Sequence, residues 1–352
     1  MSASKVRRGA SQLSCISLFS GCGGMDVGVE AAGFDVKVAT DIELSCAKSY
    51  AANFPKVPFL VERIGALTTS ELLEAGGIKP GSVDLLVGGP PCPAFSKSRF
   101  YRKEKPRALD DPVAAETVGG YLRVLEDAKP TAFILENVKG LAYGVHRQAL
   151  EHIVGTAERL GYKTAWKVIN AADFGAPQIR ERCIVMGSLL GEIAFPKPTH
   201  AKDPGLSGLL PWATAGDVLK DIDTEENATD EGHFAGGQHH ALLREIPPGE
   251  NYLYFTEERG HPEPKFKWRS RYWSFLLKLS PSLPSWTIQA RRSNNMGPFH
   301  WRNRILRIEE VKRLQTFPDE FKLVGTVEKQ WRQVGNAVPP IVAKKFAEAD
   351  RK

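Results

Sequence analysis

Four short stretches carry side chains that could do chemistry. In GGPPCPAFS (88–96), Cys92 stands among Pro90, Pro91 and Pro93, and three fixed φ angles make a stiff loop that presents one sulfur in a defined direction. A nucleophilic thiolate needs cations or a helix N-terminus nearby to lower its pKa from about 8.5. Lys97 and Arg99 are close in sequence, and the sequence alone does not say which cation serves. By contrast Cys15, Cys46 and Cys183 lie in or beside apolar runs and read as small buried hydrophobes. FILENVKGL (133–141) ends an apolar run on Glu136 and Asn137. A carboxyl at such a tip is drawn out of water, which suits it to giving a proton near neutral pH; the plainer alternative is a strand-end cap. QIRER (178–182) sets Arg180 and Arg182 two apart, on one side of an extended segment, where they suit an anionic or carbonyl-rich ligand or, equally, surface ion pairs.

The fourth stretch, SLFSGCGGMDVGVEAAGF (17–34), runs from an apolar strand through Phe19 into a turn holding Gly21, Gly23 and Gly24. Glycines permit positive φ and close approach of backbone to a ligand. The spacing is F-S-G-C-G-G, not the G-x-G-x-x-G dinucleotide pattern, so a nucleotide, another metabolite or a tight packing turn all fit. Asp41 ends the next apolar run 17 residues after Gly24, where a ribose hydroxyl would be bonded, or where a helix would be capped.

These stretches need a scaffold, and the first 190 residues supply a regular one. CISLF (15–19), DVKVAT (35–40), VDLLVGG (83–89), TAFILEN (131–137) and ERCIVMG (181–187) read as buried strands. Residues 25–32, 42–53, 121–128 and 148–160 carry helical spacing. The alternation predicts an α/β fold, a doubly wound, mostly parallel sheet of Rossmann-like type with ligands at the carboxyl ends of the strands. Beyond about 190 the text becomes irregular, rich in Pro, Gly and His, and too long for a connecting loop. We therefore expect a catalytic domain over 12–190, completed by 322–352, and a smaller irregular domain over 191–321. Helices are expected at 305–317 and 341–349.

The chain has 352 residues, 42% hydrophobic and 25% charged, which is globular composition. No window approaches the ~18 apolar residues of a membrane span, and MSASKVRRGA lacks the apolar run of a signal peptide, so a soluble, unexported protein is expected. Five widely spaced cysteines without a CxxC pair suggest neither a disulfide framework nor a zinc site, and fit a reducing compartment. Net charge is +6, yet twelve Lys/Arg against two acids between Lys265 and Arg313 make that stretch +10 and leave −4 for the rest. Aromatics interleave there, including Trp268, Tyr272, Trp273, Trp286 and Trp301. That composition predicts a surface for phosphates and bases, or else a solvated basic face over a Trp-rich core.

Taken in order, F-S-G-C-G-G, PPC, ENV and QIRER, followed by TIQARR (287–292), RLQTFPDEF (313–321) and QVGNAVPP (333–340), closely resemble the cytosine-C5 DNA methyltransferase family. The resemblance covers nearly the whole chain outside the middle of 191–285. It implies a class I methyltransferase fold, with residues 191–321 as the target-recognition domain. It further implies double-stranded DNA as substrate, a flipped-out cytosine and S-adenosyl-L-methionine as methyl donor, with no metal. Carried onto this sequence, Cys92 would attack ring carbon C6. Glu136 would give or share a proton at N3, Asn137 would hold the loop, and Arg180 and Arg182 would contact the base. Donor contacts would come from Phe19, Gly21, Gly23, Gly24, Asp41, Ile42, Ile64, Pro91, Asn336 and Val338. Arg269, Arg271, Arg291 and Arg292 would meet DNA. Three features depart from the family pattern: Arg63 stands before Ile64 where an acid is usual, PPCP replaces PPCQ, and DDPVAAET (110–117) lacks an Arg-Gly after DP. A tRNA methyltransferase and a non-catalytic DNA-binding member are the alternative readings. The expected setting is a monomer in the bacterial cytoplasm, associated with the nucleoid, serving restriction-modification or phage defence, with a cognate endonuclease as a possible partner.

Overall fold

The computed structural model describes residues 13–91, 95, 108–223 and 237–350. Five parallel strands form most of a seven-stranded sheet: β1 (Leu13–Leu18), β2 (Phe34–Asp41), β3 (Phe59–Val61), β4 (Leu85–Gly88) and β5 (Ala132–Val138). Beyond β5 come β8 (Glu181–Ser188) and, at the edge, β6 (Lys163–Asn170), with β8 antiparallel to both neighbours. The order is β3-β2-β1-β4-β5-β8-β6. Strand order therefore reverses between β1 and β4, where Leu18 is paired with Gly88. A doubly wound sheet opens a crevice at such a reversal, past the carboxyl ends of the strands. The topology thus sets the glycine turn that follows β1 beside the proline loop that follows β4.

Helices cover both faces. On one, Ile16, Leu86, Phe133 and Leu135 of the sheet pack with Val118, Tyr121 and Leu125 of α4 (Pro112–Ala128) and with Leu150 and Ile153 of α5 (Arg147–Arg159). On the other, Val36, Leu85, Val87 and Ile134 meet Met25 and Val29 of α1 (Gly24–Ala31) and Val342 and Phe346 of the last helix, Pro340–Asp350. Helix α4 starts nine residues before the periodicity predicted, because Asp111 accepts from the N–H groups of Val113 and Ala114 and Pro112 occupies the first turn. Between them the paired Gly119 and Gly120 break the helical pattern in sequence, and Gly120 is needed because a Cβ there would come within 2.6 Å of Ile64.

A third core lies away from the sheet. Tyr50 and Phe54, on α2 (Leu44–Asn53) and at its end, join Leu243, Phe255, Leu276, Phe299, Phe317 and Trp331. The irregular segment therefore grows onto the first 190 residues through shared aromatic packing. Inside it are short strands β9 (His200–Ala201), β10 (Leu210–Pro211) and β11 (Ser285–Trp286), the last pairing in parallel with β7 (Gln178–Ile179).

Much of the basic stretch is internal structure rather than free surface. Arg304 is 1% exposed and grips Glu310 through two bonds of 2.8 and 2.6 Å. Lys278 is buried with its Nζ on the Ile246 carbonyl, and burial pushes its pKa down to about 8. Arg302 pairs with Asp223, Arg313 with Asp221 and Asp319, and Arg292 with Glu328. Lys265, Lys267, Arg269, Arg271 and Arg291 remain exposed. Cations in a basic run are drawn inward wherever a carboxylate or carbonyl can satisfy them.

Candidate active site

At the crevice, the turn after β1 is built from left-handed residues: Phe19 (φ +54°), Gly21 (φ +56°) and Gly23 (φ +99°). A phenylalanine seldom holds that conformation, and such strain persists where surrounding structure dictates it. Buried hydroxyls supply the dictation. Ser20 Oγ donates to the Ser17 carbonyl at 3.0 Å, and Ser17 Oγ donates to Asp26 at 2.6 Å. Burial raises the Asp26 carboxyl to about 6 against the bonds from Ser17 and Tyr50. Gly24 and Gly28 are required from the far side, since a Cβ on Gly24 would lie 2.9 Å from the Val338 carbonyl and one on Gly28 2.3 Å from that of Pro340. The turn is thus clamped by residues more than 300 positions away in the chain.

Gly21 is open by contrast, with nothing within 4 Å of where its Cβ would be. Asp41, at the tip of β2, accepts from Gly21 N–H at 3.0 Å and from Glu43 N–H at 2.9 Å. Burial raises its pKa while those N–H groups pull it back. Ile42 beside it is 58% exposed. An open backbone turn, an acceptor carboxylate and a bare apolar side chain fit the hydroxyls and the flat base of a nucleoside. Of the other expected donor contacts, Ile64 is buried in the core against Gly120 and Val338 is buried beside Gly24, whereas Asn336 ends a helix (Val327–Asn336) exposed. Among the described residues no cluster of His, Cys, Asp and Glu is placed to hold a metal ion.

Across the crevice, Glu136 and Asn137 close β5. Arg182 Nε stands 2.8 Å from Glu136 Oε1, while the other oxygen, Oε2, lies 3.0 Å from where a Cβ on Gly89 would be. Glycine at 89 therefore leaves room for the carboxylate. Asn137 Nδ2 donates to the Pro90 carbonyl at 3.1 Å, tying the proline loop to the strand tip. Pro91 is half-buried and Phe95 fully buried; Cys92 lies outside the described residues. Burial raises the Cys15 and Cys22 thiols well above the ordinary range and takes Cys46 and Cys183 to about 12, which leaves these four unreactive at neutral pH.

Arg180 and Arg182 do not act side by side as their spacing suggested. Arg180 is 2% exposed, and its terminal nitrogens donate to the carbonyls of Ile288 (3.1 Å), Gly335 (2.9 Å) and Ala337 (3.1 Å). Gln178 extends the same hub, receiving from Ile288 N–H and donating to Gln315, which donates to the Ala337 carbonyl. The hub joins the sheet to the 285–290 segment and to the stretch that clamps Gly24. Sequence reading missed Gln178 and Gln315 in this role, although Q-x-R alternation ahead of a buried strand was a usable sign. Two departures from the family pattern meet each other: Arg63 pairs with Glu116 of DDPVAAET, its Nε 3.2 Å from Oε1. The exposed DNA candidates Arg269, Arg271 and Arg291 contrast with Arg292, half-buried on Glu328 at 3.0 Å.

A seven-stranded sheet with one antiparallel strand beside β5 and a ligand crevice at its reversal is the fold of class I methyltransferases. A prophage-encoded protein of Escherichia coli shares it, with a TM-score of 0.69 at 24% identity over 96% of this chain and 98% of that one. Residues 13–351 match the model of the C-5 cytosine-specific DNA methylase family. The Type II methyltransferase M.SacI of Streptomyces achromogenes is 39% identical over 93% of this chain and 90% of its own length. M1.HphI of Haemophilus parahaemolyticus, another Type II methyltransferase, is 32% identical over 96% and 86%. The chain belongs to the C-5 cytosine-specific DNA methylase family and is a DNA (cytosine-5)-methyltransferase. Membership implies DNA as substrate and S-adenosylmethionine as methyl donor.

Proposed function

We propose that the protein methylates cytosine in a specific duplex sequence through a transient bond between Cys92 and C6 of a base rotated out of the helix. The Glu136–Arg182 pair, at the carboxyl end of β5 next to β4, carries the reading, because it sets a proton-handling carboxyl beside the proline loop and opposite the glycine turn. Ring carbon C5 is a weak nucleophile until C6 carries an electron-rich substituent. The Cys92 thiolate adds to C6 as Glu136 delivers or shares a proton at N3, and C5 becomes an enamine carbon. S-adenosylmethionine supplies an electrophilic methyl group. After transfer, C5 loses its proton to solvent or base, the electron pair restores the ring double bond, and the thiolate leaves C6. Arg182 would orient Glu136 and offer N–H groups to the base, whereas Arg180 would position the recognition segment. Phe19, Gly21, Gly23, Asp41, Ile42 and Asn336 would face the donor, with Gly24 and Val338 holding the turn.

Rotating a base out of the stack costs a few kcal/mol, and contacts from the segment 191–321 would offset it. The Type II names of its relatives favour a restriction-modification role with a cognate endonuclease. A monomeric protein of the bacterial cytoplasm, with 12–190 and 322–352 as catalytic domain, completes the reading. Bisulfite sequencing of DNA from a host expressing the protein tests it. Conversion-resistant cytosines within one short motif are expected, lost with Cys92→Ser; an unmodified genome contradicts it.

A further inference from the structure

Trp273 and Trp286 are 52% and 39% exposed, and their rings meet edge to face at 5.6 Å. Large exposed aromatic pairs are uncommon on a monomer's surface without a partner. Both rings stand on fixed backbone. Buried Asn251 donates to the Trp273 carbonyl at 2.8 Å, and the hydroxyl of buried Tyr252 donates to the Arg271 carbonyl at 2.9 Å. Trp286 lies in β11, paired with Ile179 of β7, and Thr287 Oγ1 donates to the Ile179 carbonyl at 2.7 Å. Three residues after Ile179 comes Arg182, which holds Glu136. Trp286 is therefore anchored to the same run of chain as Arg182, the partner of Glu136.

The charge around it selects a polyanion. No Asp or Glu occurs between Glu263 and Glu309. The exposed cations Arg269 and Arg271 come just before Trp273 in sequence, the first over the Trp268 ring at 5.8 Å from its centroid. Resting on the methyltransferase reading above, we propose that Trp273 and Trp286 form a base-stacking platform. It takes the exposed face of a base beside the extruded cytosine while Arg269 and Arg271 hold the neighbouring phosphates. Stacking on an aromatic ring carries no net charge, so its contribution is separable from phosphate contacts by salt dependence.

The test measures duplex affinity by fluorescence anisotropy across salt concentrations for wild type, Trp273→Ala, Trp286→Ala, Trp286→Phe and the Arg269→Ala/Arg271→Ala pair. Each alanine variant at a tryptophan should weaken binding by roughly 5- to 150-fold, with an unchanged slope of log affinity on log salt. Trp286→Phe should recover most of the loss, and the arginine pair should flatten the slope by about 1 to 2. Thermal unfolding and S-adenosylhomocysteine binding should match wild type throughout. Wild-type affinity in both tryptophan variants overturns the platform, as does a self-association that Trp286→Ala abolishes. If the wild type itself binds no duplex, the methyltransferase reading fails with it.

Discussion

Arg182 Nε stands 2.8 Å from Oε1 of Glu136, and both side chains are nearly buried, 14% and 7% exposed. One carboxylate oxygen is thereby fixed while the other faces the loop beyond β4. Removing a positioned proton donor costs ~10² to 10⁴ in rate. Glu136→Gln should lower kcat by that order with the affinity for S-adenosylhomocysteine unchanged. Arg182→Ala should lose less in rate but lower the melting temperature, because it leaves the nearly buried Glu136 carboxylate without its cation. Single-turnover methyl transfer decides, and a Glu136→Gln enzyme of ordinary rate would remove the carboxyl from the mechanism.

Arg180 makes the opposite prediction. Its guanidinium satisfies three buried carbonyls, and its loss would strand acceptors worth about 1–3 kcal/mol each. Arg180→Ala should lower stability by several kcal/mol and weaken DNA and donor binding together. Chemical denaturation measures the first effect and calorimetry the second. A stable Arg180→Ala protein defective in chemistry alone would return Arg180 to the base.

The glycine turn separates binding from packing. At Gly21 a Cβ enters open space, so Gly21→Ala should weaken donor binding tenfold or more at a modest backbone cost of about 1–2 kcal/mol. At Gly24 a Cβ meets Ala337, Phe317 and the Val338 carbonyl at 2.8–2.9 Å, so Gly24→Ala should cost about 1–3 kcal/mol by overpacking. Melting curves with and without S-adenosylhomocysteine distinguish them.

Asp26 links the turn to pH. Its pKa is raised by burial from 3.8 to about 6, so below 3.8 both folded and unfolded chains carry the proton. Between these values only the folded chain keeps it, and stability falls with rising pH by up to about 3 kcal/mol, levelling above 6. Asp26→Asn should therefore gain melting temperature relative to wild type as pH goes from 4 to 7. A pH-independent difference would mean that Asp26 is ionised throughout.

Elements whose signal is local were legible in the chain. Buried β1, β4 and β5 are continuous apolar runs, and the glycine turn, Glu136, Asn137 and Asp41 all stand at strand tips, as their positions in the sequence implied. Edge strand β6, KTAWKVIN, was missed because its exposed face is polar and its pattern weak. The short helix Thr69–Ala75 and three-residue β3 offered too few residues for a period. The buried hub around Arg180 was not legible because its partners lie more than 100 residues away, and no local pattern tells a buried hub from a ligand contact. The +10 stretch misled similarly, since composition does not reveal that Arg304 and Lys278 turn inward.

The central claim is a bond between the Cys92 sulfur and C6 of cytosine. A duplex carrying 5-fluorocytosine at the methylated position tests it directly, because fluorine at C5 cannot leave as the proton does. Incubated with S-adenosylmethionine, the wild type should yield a denaturant-stable protein–DNA complex whose cross-linked peptide contains Cys92, and Cys92→Ser should yield none. Methylation of the ordinary duplex without any trapped complex, or a complex that survives Cys92→Ser, would contradict the account.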